Sequence, residues 1–209
     1  MIKLSKENIY GRDIHKAYYE GKDPEEVVGL NWGTPFYDDI KNLPITSICD
    51  VGCGNGKFLN DFSSLGYKNL YGVDIITVSE KMVIENKDIQ YFSGPASSIP
   101  LEDKSIDLLT SFECLEHIHI DEVDNVLKEF SRITKGYFMF SIAHKISSEI
   151  VYLENHHTYQ NLHLCVKTLD WWTKKISKYA TRVTECSVPN RQPPLLLGGG
   201  RSQTIWKVK

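Results

Sequence analysis

Side chains that can do chemistry are concentrated at residues 113–117, whose sequence is E-C-L-E-H. The imidazole of His117 can accept a proton near neutral pH, which would make it a general base. In that interpretation Glu113 and Glu116 are structural or line a pocket. In a second interpretation the two carboxylates and the imidazole bind a divalent ion, since this set of ligands suits Mg²⁺, Mn²⁺ or Zn²⁺. In a third, His117 only packs against or caps the end of a helix.

Further histidines follow this stretch, and six of the seven in the chain lie between residues 117 and 163. His144 closely follows a predicted strand, so we expect it near the same edge of the sheet as His117. His163 lies in a segment between that strand and a tryptophan-bearing helix. Both are further candidates for catalysis, and His163 is also a candidate metal ligand. For at least one of His156 and His157 we expect only a surface position in a polar loop.

A ligand-binding bend is predicted at residues 48–59, whose sequence is I-C-D-V-G-C-G-N-G-K-F-L. The short apolar run is typical of a buried strand, and the apolar residues after the glycines are typical of a helix start. Gly52, Gly54 and Gly56 allow positive φ and let the backbone approach a ligand closely. The helix would point its N-terminal amide groups at that ligand. Asp50 adds an acceptor at the carboxyl end of the strand, where open α/β sheets bind ligands.

Strands and helices alternate along the chain, which predicts a parallel, doubly wound sheet. The predicted strands lie at about residues 46–51, 70–75, 89–93, 106–112 and 137–142, and the predicted helices at about 56–65, 77–85 and 120–133. The tail differs, with a predicted helix at about 169–179 and strands at about 181–188 and 202–208. Arg191 and Arg201 flank the loop between these last strands and could meet a phosphate or carboxylate, or stay solvated at a rim.

The D-x-G-x-G-x-G pattern of the bend matches neither the dinucleotide fingerprint nor the phosphate loop. It resembles the first motif of the class I S-adenosylmethionine (SAM) dependent methyltransferases. Asp74 ends the second predicted strand, where an acid of the family accepts hydrogen bonds from both ribose hydroxyls, although a helix N-cap is the alternative. In the third matching motif, G-P-A-S-S-I-P-L, Pro95 replaces the acid that usually recognises adenine. That role would then fall to Ala96 or Ser97.

The resemblance implies a Rossmann-like α/β fold: a doubly wound sheet of seven strands, mostly parallel with an antiparallel last strand, and helices on both faces. A fourth match, S-I-D-L-L-T, stands at residues 105–110. SAM is the implied cofactor. Its sulfur is cationic, and a pocket with several acids suits that charge better than it suits the negative phosphates of NAD. The implied cofactor-binding residues are Asp50, Gly52, Gly54, Gly56, Asp74, Ile75, Ala96, Ser97 and Phe112.

The acceptor side resembles more than one subgroup of the family. L-H-L at residues 162–164, followed by L-D-W-W at 169–172, is similar to methyltransferases from bacterial glycan and natural-product gene clusters. This implies O-methylation of a small-molecule hydroxyl, such as that of a sugar or nucleotide-sugar. The E-x-x-E-H pattern with a later histidine also occurs in metal-dependent O-methyltransferases of quinone-type phenol precursors and of the RNA 2′-hydroxyl, although E-x-L-E-H is common in members without a metal. The metal ligands would then be Glu113, Glu116, His117 and His163.

A non-catalytic SAM-binding protein is a further alternative, since such a protein would keep the glycines and Asp74 but would not need His117. The replacement at Pro95 gives this alternative some support. A nucleotide-binding dehydrogenase is the third class, and the spacing of the glycines argues against it.

The composition predicts a cytoplasmic protein of one domain. The chain has 209 residues, a net charge of −3 and a sequence pI of about 6.2, so it lacks the overall basic charge expected of a nucleic-acid-binding protein. No segment is apolar over the length that a membrane span needs. The five cysteines include no C-x-x-C pair, and we expect them to be reduced packing residues.

Four parts are predicted within this single domain. Residues 44–143 form the SAM-binding core that carries the resemblance, residues 144–168 an insertion on the acceptor side, and residues 169–209 the C-terminal helix and strand pair. Residues 1–43 form a helical N-terminal segment, which often covers the cofactor in methyltransferases of this kind. The aromatic residues that could cover it, or simply pack on the domain, are Tyr18, Tyr19, Trp32 and Tyr37.

Overall fold

The computed structural model describes residues 37–75, 85–144, 150–153, 158–185 and 201–209. Some predicted features lie outside these residues: nearly all of the helix at 77–85, the aromatic side chains of Tyr18, Tyr19 and Trp32, both His156 and His157, and Arg191.

A seven-stranded sheet organises the described residues. The α-helices among them are α1 (Tyr37–Ile40), α2 (Lys57–Ser64), α3 (Val123–Ile133) and α4 (Leu169–Ile176). The strands are β1 (Ser47–Val51), β2 (Asn69–Asp74), β3 (Ile89–Ser93), β4 (Ile106–Phe112), β5 (Thr134–Ala143), β6 (Ile150–Leu153), β7 (Thr158–Asn161), β8 (Ala180–Glu185) and β9 (Arg201–Val208). A single turn of 3₁₀ helix, Leu115–His117, follows β4.

The spatial order of the large sheet is β3-β2-β1-β4-β5-β9-β8, and β6 and β7 form a separate antiparallel hairpin. Strand β1 pairs in parallel with β2 and β4, β2 pairs in parallel with β3, and β4 with β5. Strand β9 runs antiparallel to both β5 and β8. The predicted doubly wound sheet with an antiparallel last strand is therefore confirmed. Because β1 to β5 run the same way, their carboxyl ends meet at one edge.

Both faces of the sheet are covered, since successive side chains of a strand point to opposite sides and both sides carry helices. On one face, α3 and α4 bury Phe130 and Trp172 against strand residues that include Cys49. On the other face, α1 and α2 bury Ile40 and Phe62. Helices on both faces were predicted, and this part of the prediction is confirmed.

Three element boundaries differ by three residues from the sequence prediction. Helix α3 begins at Val123 because the residues before it form a turn, in which the Glu122 amide donates to the His119 carbonyl at 2.9 Å. Helix α4 ends at Ile176, and the Tyr179 amide folds back onto the Ile176 carbonyl at 2.9 Å before β8 begins. Strand β5 begins directly after α3, which is earlier than predicted.

The cysteines in the described residues are free thiols. Cys49, Cys53 and Cys165 are buried, and Cys114 is half-buried beside the bend. This agrees with their prediction as reduced packing residues, while Cys186 lies outside the described residues. None of the helices in the described ranges combines the length and the apolar content needed to cross a lipid bilayer.

Candidate active site

The predicted site residues gather along the carboxyl edge of the parallel strands. Asp50 is the next-to-last residue of β1, Asp74 ends β2 and Phe112 ends β4. The segment 94–98 follows β3, and His144 follows β5. Five consecutive parallel strands therefore contribute to one edge, which is the usual ligand-binding location in an open α/β sheet.

The glycine bend after β1 is held against β2 by its own backbone. The amides of Gly52 and Cys53 donate to the Val73 carbonyl at 2.8 and 3.2 Å, and the Gly54 amide donates to Oδ2 of Asp74 at 2.9 Å. Gly52, Gly54 and Gly56 have φ values of 80°, 53° and 81°, so the bend needs a left-handed backbone at all three positions. A Cβ added to Gly54 would meet no atom within 4 Å, so the bend faces open space there. This geometry suits a ligand that approaches the backbone.

Asp50 lies beneath the bend and is almost fully buried. The Thr110 hydroxyl donates to its Oδ1 at 2.7 Å. Burial raises the pKa of Asp50 to about 7; the hydrogen bond from Thr110 opposes this rise, and the nearby charge of Asp74 adds to it. Asp50 therefore changes charge near neutral pH.

Asp74 joins the end of β2 to two neighbouring segments of the edge. Its carboxylate accepts from Gly54 in the bend, and its main-chain carbonyl accepts from the Gly94 amide at 2.9 Å. The side chain is half-buried, so it sits between the bend and the 94–98 segment with access to solvent. An acid at this place can accept from the two hydroxyls of a ribose, and this role of Asp74 stays a prediction. The helix predicted after β2 lies outside the described residues, so the N-cap alternative stays a prediction.

A clamp from α3 holds the chain that follows the 94–98 segment. Oε1 of Glu129 accepts from the Ile99 amide at 2.7 Å. The guanidinium of Arg132 donates to the carbonyls of Ile99 and Leu101 at 2.9 and 2.8 Å, and also to Glu129. Sequence reasoning missed this clamp. The only local signal was the spacing of three residues between Glu129 and Arg132, which is equally common on a solvated helix face.

The remaining residues predicted to bind the cofactor differ in their surroundings. Ile75 and Ser97 are half-buried at the carboxyl edge, and Ala96 packs against the core that α3 and α4 cover on one face of the sheet. The ring of Phe112 is buried, and its centroid lies 5.1 Å from that of Phe58 in the core. The Phe112 side chain is thus committed to packing, and a ligand at the edge would meet chiefly its backbone.

Glu113 adopts a backbone conformation that is rare for a residue with a side chain, with φ of 52°. Its amide donates to the Ser141 carbonyl at 2.9 Å, and its Oε1 accepts from the Ser141 hydroxyl at 2.6 Å. These two hydrogen bonds to β5 stabilise the turn that leads from β4 into the 3₁₀ helix. Such strain is frequent at functional sites.

Glu116 is fully buried and joins three segments. Its Oε1 accepts from the Ala143 amide at 3.0 Å, at the end of β5. Its main-chain carbonyl accepts from the amides of Leu164 and Cys165 at 2.8 and 2.9 Å. This agrees with the interpretation of Glu116 as a structural residue, because the contacts bring the segment after β7 onto the 3₁₀ turn.

His117 and His163 lie side by side at this junction. Their ring centroids are 4.9 Å apart and the rings are perpendicular. Nδ1 of His117 lies 2.9 Å from the Leu162 carbonyl, which can only accept, so Nδ1 carries the proton and Nε2 is the basic nitrogen of the neutral ring. Glu116, His117 and His163 can each offer one ligand atom to a metal, and these atoms lie within 4.8 Å of one another. Glu113 does not belong to this group.

A family match covers this geometry. The sequence matches the methyltransferase domain family over residues 49–140, from within β1 to within β5. The matched region includes the glycine bend, Asp74 and the turn that carries His117. Residues 49–140 therefore match a methyltransferase domain, and together with the glycine bend and Asp74 they support a class I SAM-dependent methyltransferase.

The chain is also similar to other proteins in sequence or in fold. The chain is 29% identical over 123 residues to a methyltransferase-like protein of Schizosaccharomyces pombe; the match covers 57% of this chain and 45% of that relative. The fold resembles the PH0226 protein of Pyrococcus horikoshii, with a TM-score of 0.64 and 16% identity over 95% of this chain and 99% of the other. It also resembles the 1,6-didemethyltoxoflavin-N1-methyltransferase of Burkholderia thailandensis, with a TM-score of 0.66 and 15% identity over 94% of this chain and 85% of that enzyme.

Three other residues that the sequence suggested for the site are not part of the His117–His163 pair. His144 turns Nδ1 to the Lys167 carbonyl at 2.9 Å, and its Nε2 is buried with no hydrogen-bond partner within the described ranges. Arg201 begins β9 opposite Ala143 in the register, so its backbone lies at the carboxyl end of β5. Tyr37 packs its ring on Phe62 of α2, with centroids 6.0 Å apart, which is the packing alternative for this aromatic.

Proposed function

We propose that the protein transfers the methyl group of SAM to a hydroxyl of a small molecule, with a sugar or nucleotide-sugar as the leading acceptor class. The observation that carries this proposal is the His117 imidazole, whose protonated Nδ1 is fixed by the Leu162 carbonyl at the edge that carries the glycine bend. A basic Nε2 held in one orientation is what a hydroxyl acceptor requires, because the oxygen must lose its proton.

The residues present fit SAM. The bend opens onto space at Gly54 and has the Asp74 carboxylate beside it, and negative charge suits the cationic sulfur. When bound, SAM would supply its methyl group: the acceptor oxygen bonds to the methyl carbon in line with the breaking carbon–sulfur bond, and S-adenosylhomocysteine leaves. Asp74 would hold the ribose hydroxyls, and backbone at Ala96 or the Ser97 side chain would meet the adenine. His117 would take the hydroxyl proton at Nε2, while Glu113 and Glu116 keep the turn in place.

The acceptor class rests on the resemblance of the L-H-L and L-D-W-W segments to glycan-cluster methyltransferases, which is an analogy. The Burkholderia relative carries a small heterocycle and S-adenosylhomocysteine, which supports a small-molecule acceptor in general. The net charge of −3 disfavours an RNA acceptor. We place the protein in the cytoplasm, where SAM and nucleotide-sugars are available, and expect no nucleic-acid or membrane partner.

A metal-assisted O-methyltransferase of a phenol, quinone precursor or RNA 2′-hydroxyl is the second candidate. The Glu116–His117–His163 group favours it, because two imidazoles and a carboxylate form a common ligand set of catalytic zinc sites. The Leu162 carbonyl would fix the His117 tautomer, as such partners usually do for metal-bound histidines. An ion there would lower the pKa of a bound hydroxyl and replace the base. Glu113, which the sequence suggested as a ligand, is outside the group, so the candidate set has three residues.

One assay separates these candidates from a non-catalytic SAM-binding protein. S-adenosylhomocysteine formation is measured with a panel of sugars, nucleotide-sugars, phenols, heterocyclic amines and RNA, with and without EDTA. We expect turnover with a hydroxyl-bearing small molecule and no effect of EDTA. Activity lost in EDTA and restored by Zn²⁺ or Mn²⁺ would favour the metal. Binding of SAM without any turnover would favour the non-catalytic alternative.

The base is tested by substitution of His117. His117→Ala should lower kcat by about a hundredfold or more, since general base catalysis commonly contributes that much. His119→Ala is the matched control, because His119 is half-buried near the same turn but its ring faces Asp121. Equal activity of wild type and His117→Ala would refute the base while leaving the enzyme class intact.

A further inference from the structure

Tyr91, in the centre of β3, lies underneath the glycine bend. It is opposite Gly72 in the register of β2 and β3. A Cβ added to Gly72 would stand 2.6 Å from Cδ1 of Tyr91, so the tyrosine ring occupies the space that a side chain at Gly72 would need. Because Gly72 has no side chain, the Tyr91 ring can cross β2 toward β1.

The far end of the same ring reaches Gly56. A Cβ added to Gly56 would overlap the Tyr91 hydroxyl and would stand 2.7 Å from Cζ and 2.8 Å from Cε1. Gly56 is the N-cap of α2, and its amide donates to the Cys53 carbonyl at 2.9 Å. Tyr91 therefore contacts the bend where the bend turns into the helix.

The bend is consequently held from two sides. Its first half is tied to β2 through the Val73 carbonyl and the Asp74 carboxylate. Its last residue rests on the tyrosine from β3. A tyrosine hydroxyl is neutral at physiological pH, and burial together with the nearby Cys53 and Asp50 raises the pKa of Tyr91 further above its usual range. A neutral hydroxyl can lie against the bend without adding charge beside Asp50.

We propose that Tyr91 is a positioning residue of the SAM site. By filling the space left by Gly72 and contacting Gly56, it fixes the position of the bend relative to β2 and β3 and so sets the affinity for SAM. This rests on the proposed function. A bend held in its binding conformation before the ligand arrives loses less free energy on binding, and small displacements of such elements are costly. The effect should appear in the dissociation constant of SAM, because Tyr91 lies on the bend side and not beside His117.

The test compares Tyr91→Phe, Tyr91→Leu and Tyr67→Leu with the wild type by calorimetric titration of SAM and S-adenosylhomocysteine. Tyr91→Phe, which removes only the hydroxyl, should raise Kd about threefold, and Tyr91→Leu about tenfold or more. Turnover at saturating SAM should stay within about twofold of the wild type. Tyr67 is the matched control. Like Tyr91 it packs against the core on the face that α1 and α2 cover, but its contact is with Phe62, so its loss should lower Tm without changing Kd.

The outcomes separate this proposal from the proposed function. If the wild type binds neither SAM nor its product, the proposed function fails, and this inference fails with it. If the wild type binds but both Tyr91 variants bind equally well, only the role of Tyr91 is overturned, even if their Tm has fallen. A loss of turnover at saturating SAM with unchanged Kd would also overturn it.

Discussion

At the scale of single residues, two carboxylates beside the bend differ in environment. Asp50 is almost completely buried and receives one hydrogen bond from Thr110, whereas Asp74 is half-buried and faces the edge. Burial raises the pKa of Asp50 to about 7, so this group holds a proton over a range in which an exposed aspartate would not. The protein therefore gains stability from the proton on Asp50 at mildly acidic pH.

The sign of the resulting pH dependence follows from linkage. Between the unfolded pKa near 3.9 and the folded pKa of about 7, the folded state binds one more proton, so the free energy of unfolding falls as pH rises. The wild type should therefore lose stability between about pH 5 and about pH 8. We expect this loss to be about 2 kcal/mol smaller in Asp50→Asn. The amide oxygen introduced by this substitution would still accept from Thr110. Urea unfolding of both proteins at several pH values measures this, and equal pH slopes would contradict it.

Short motifs made part of the site predictable at this scale. The glycines, Asp50, Asp74 and His117 stand in or beside contiguous patterns whose chemistry is local. Tyr91 and the Glu129–Arg132 clamp were not predictable, since their contacts join residues far apart in sequence, such as Ile99 and Glu129. The sequence placed His163 with His117 only through the resemblance to metal-dependent members, because the hydrogen bonds that bring the segment after β7 to Glu116 follow from no local pattern.

At the scale of elements, a brace around Asp107 connects the starts of three strands. Its Oδ2 accepts from the amide and hydroxyl of Thr46 at 2.8 Å each, and from the Ser47 hydroxyl at 3.1 Å. Lys135 of β5 lies 3.1 Å from its Oδ1. Burial alone would raise the pKa of Asp107, but the hydrogen bonds from Thr46, Lys135 and Ser47 outweigh it and hold that pKa well below its usual range.

Asp107 should consequently matter for stability and not for SAM. We expect Asp107→Ala to lower the free energy of unfolding by about 2 to 4 kcal/mol, since it leaves several donors at the strand starts without their charged acceptor. The contribution should be lost in the wild type as pH falls below about 4, because the folded pKa is depressed. Urea unfolding tests both points. Unchanged stability, or a large change in SAM affinity at a pH where the variant is folded, would contradict the structural role.

The α3 clamp should act on the adenine side of the site. Arg132→Lys keeps the charge but cannot bridge the Ile99 and Leu101 carbonyls with a planar fork, so we expect SAM affinity to fall about threefold to tenfold. Lys128→Ala, at an exposed position of the same helix, should leave it unchanged. Isothermal titration of both variants with SAM measures this. Equal affinities would show that the clamp has no influence on the cofactor.

Most elements of the core were predictable from periodicity. Strands β3 and β4 have the predicted bounds, because each is a short stretch rich in apolar and aromatic residues between turn residues. Helix α3 begins later than predicted. The residues before Val123 are compatible with a helix in sequence, but the hydrogen bond at Glu122 closes a turn there instead. Strand β5 begins without a loop after α3, and hydrophobic pattern alone does not locate such a junction.

At the scale of the whole molecule, the sheet brings two kinds of chemistry to one edge. The bend, Asp74 and the 94–98 segment follow β1, β2 and β3, and the His117–His163 pair follows β4 and the returning chain after β7. The parallel strands thereby bring the proposed SAM site and the proposed base to the same edge. The proposed base can act only if SAM is bound at this edge. The affinity for SAM is therefore the property to measure first.

Calorimetric titration of the wild type and of Asp74→Asn with SAM and S-adenosylhomocysteine is therefore the most direct test. The amide oxygen of the variant side chain can still accept from the Gly54 amide, so the bend should keep its shape while the charged acceptor for the ribose is lost. We expect the wild type to bind both nucleosides and the variant to bind them about tenfold more weakly or worse. Absence of binding by the folded wild type at nucleoside concentrations up to about 1 mM, a range in which only very weak affinity would remain undetected, would contradict the account.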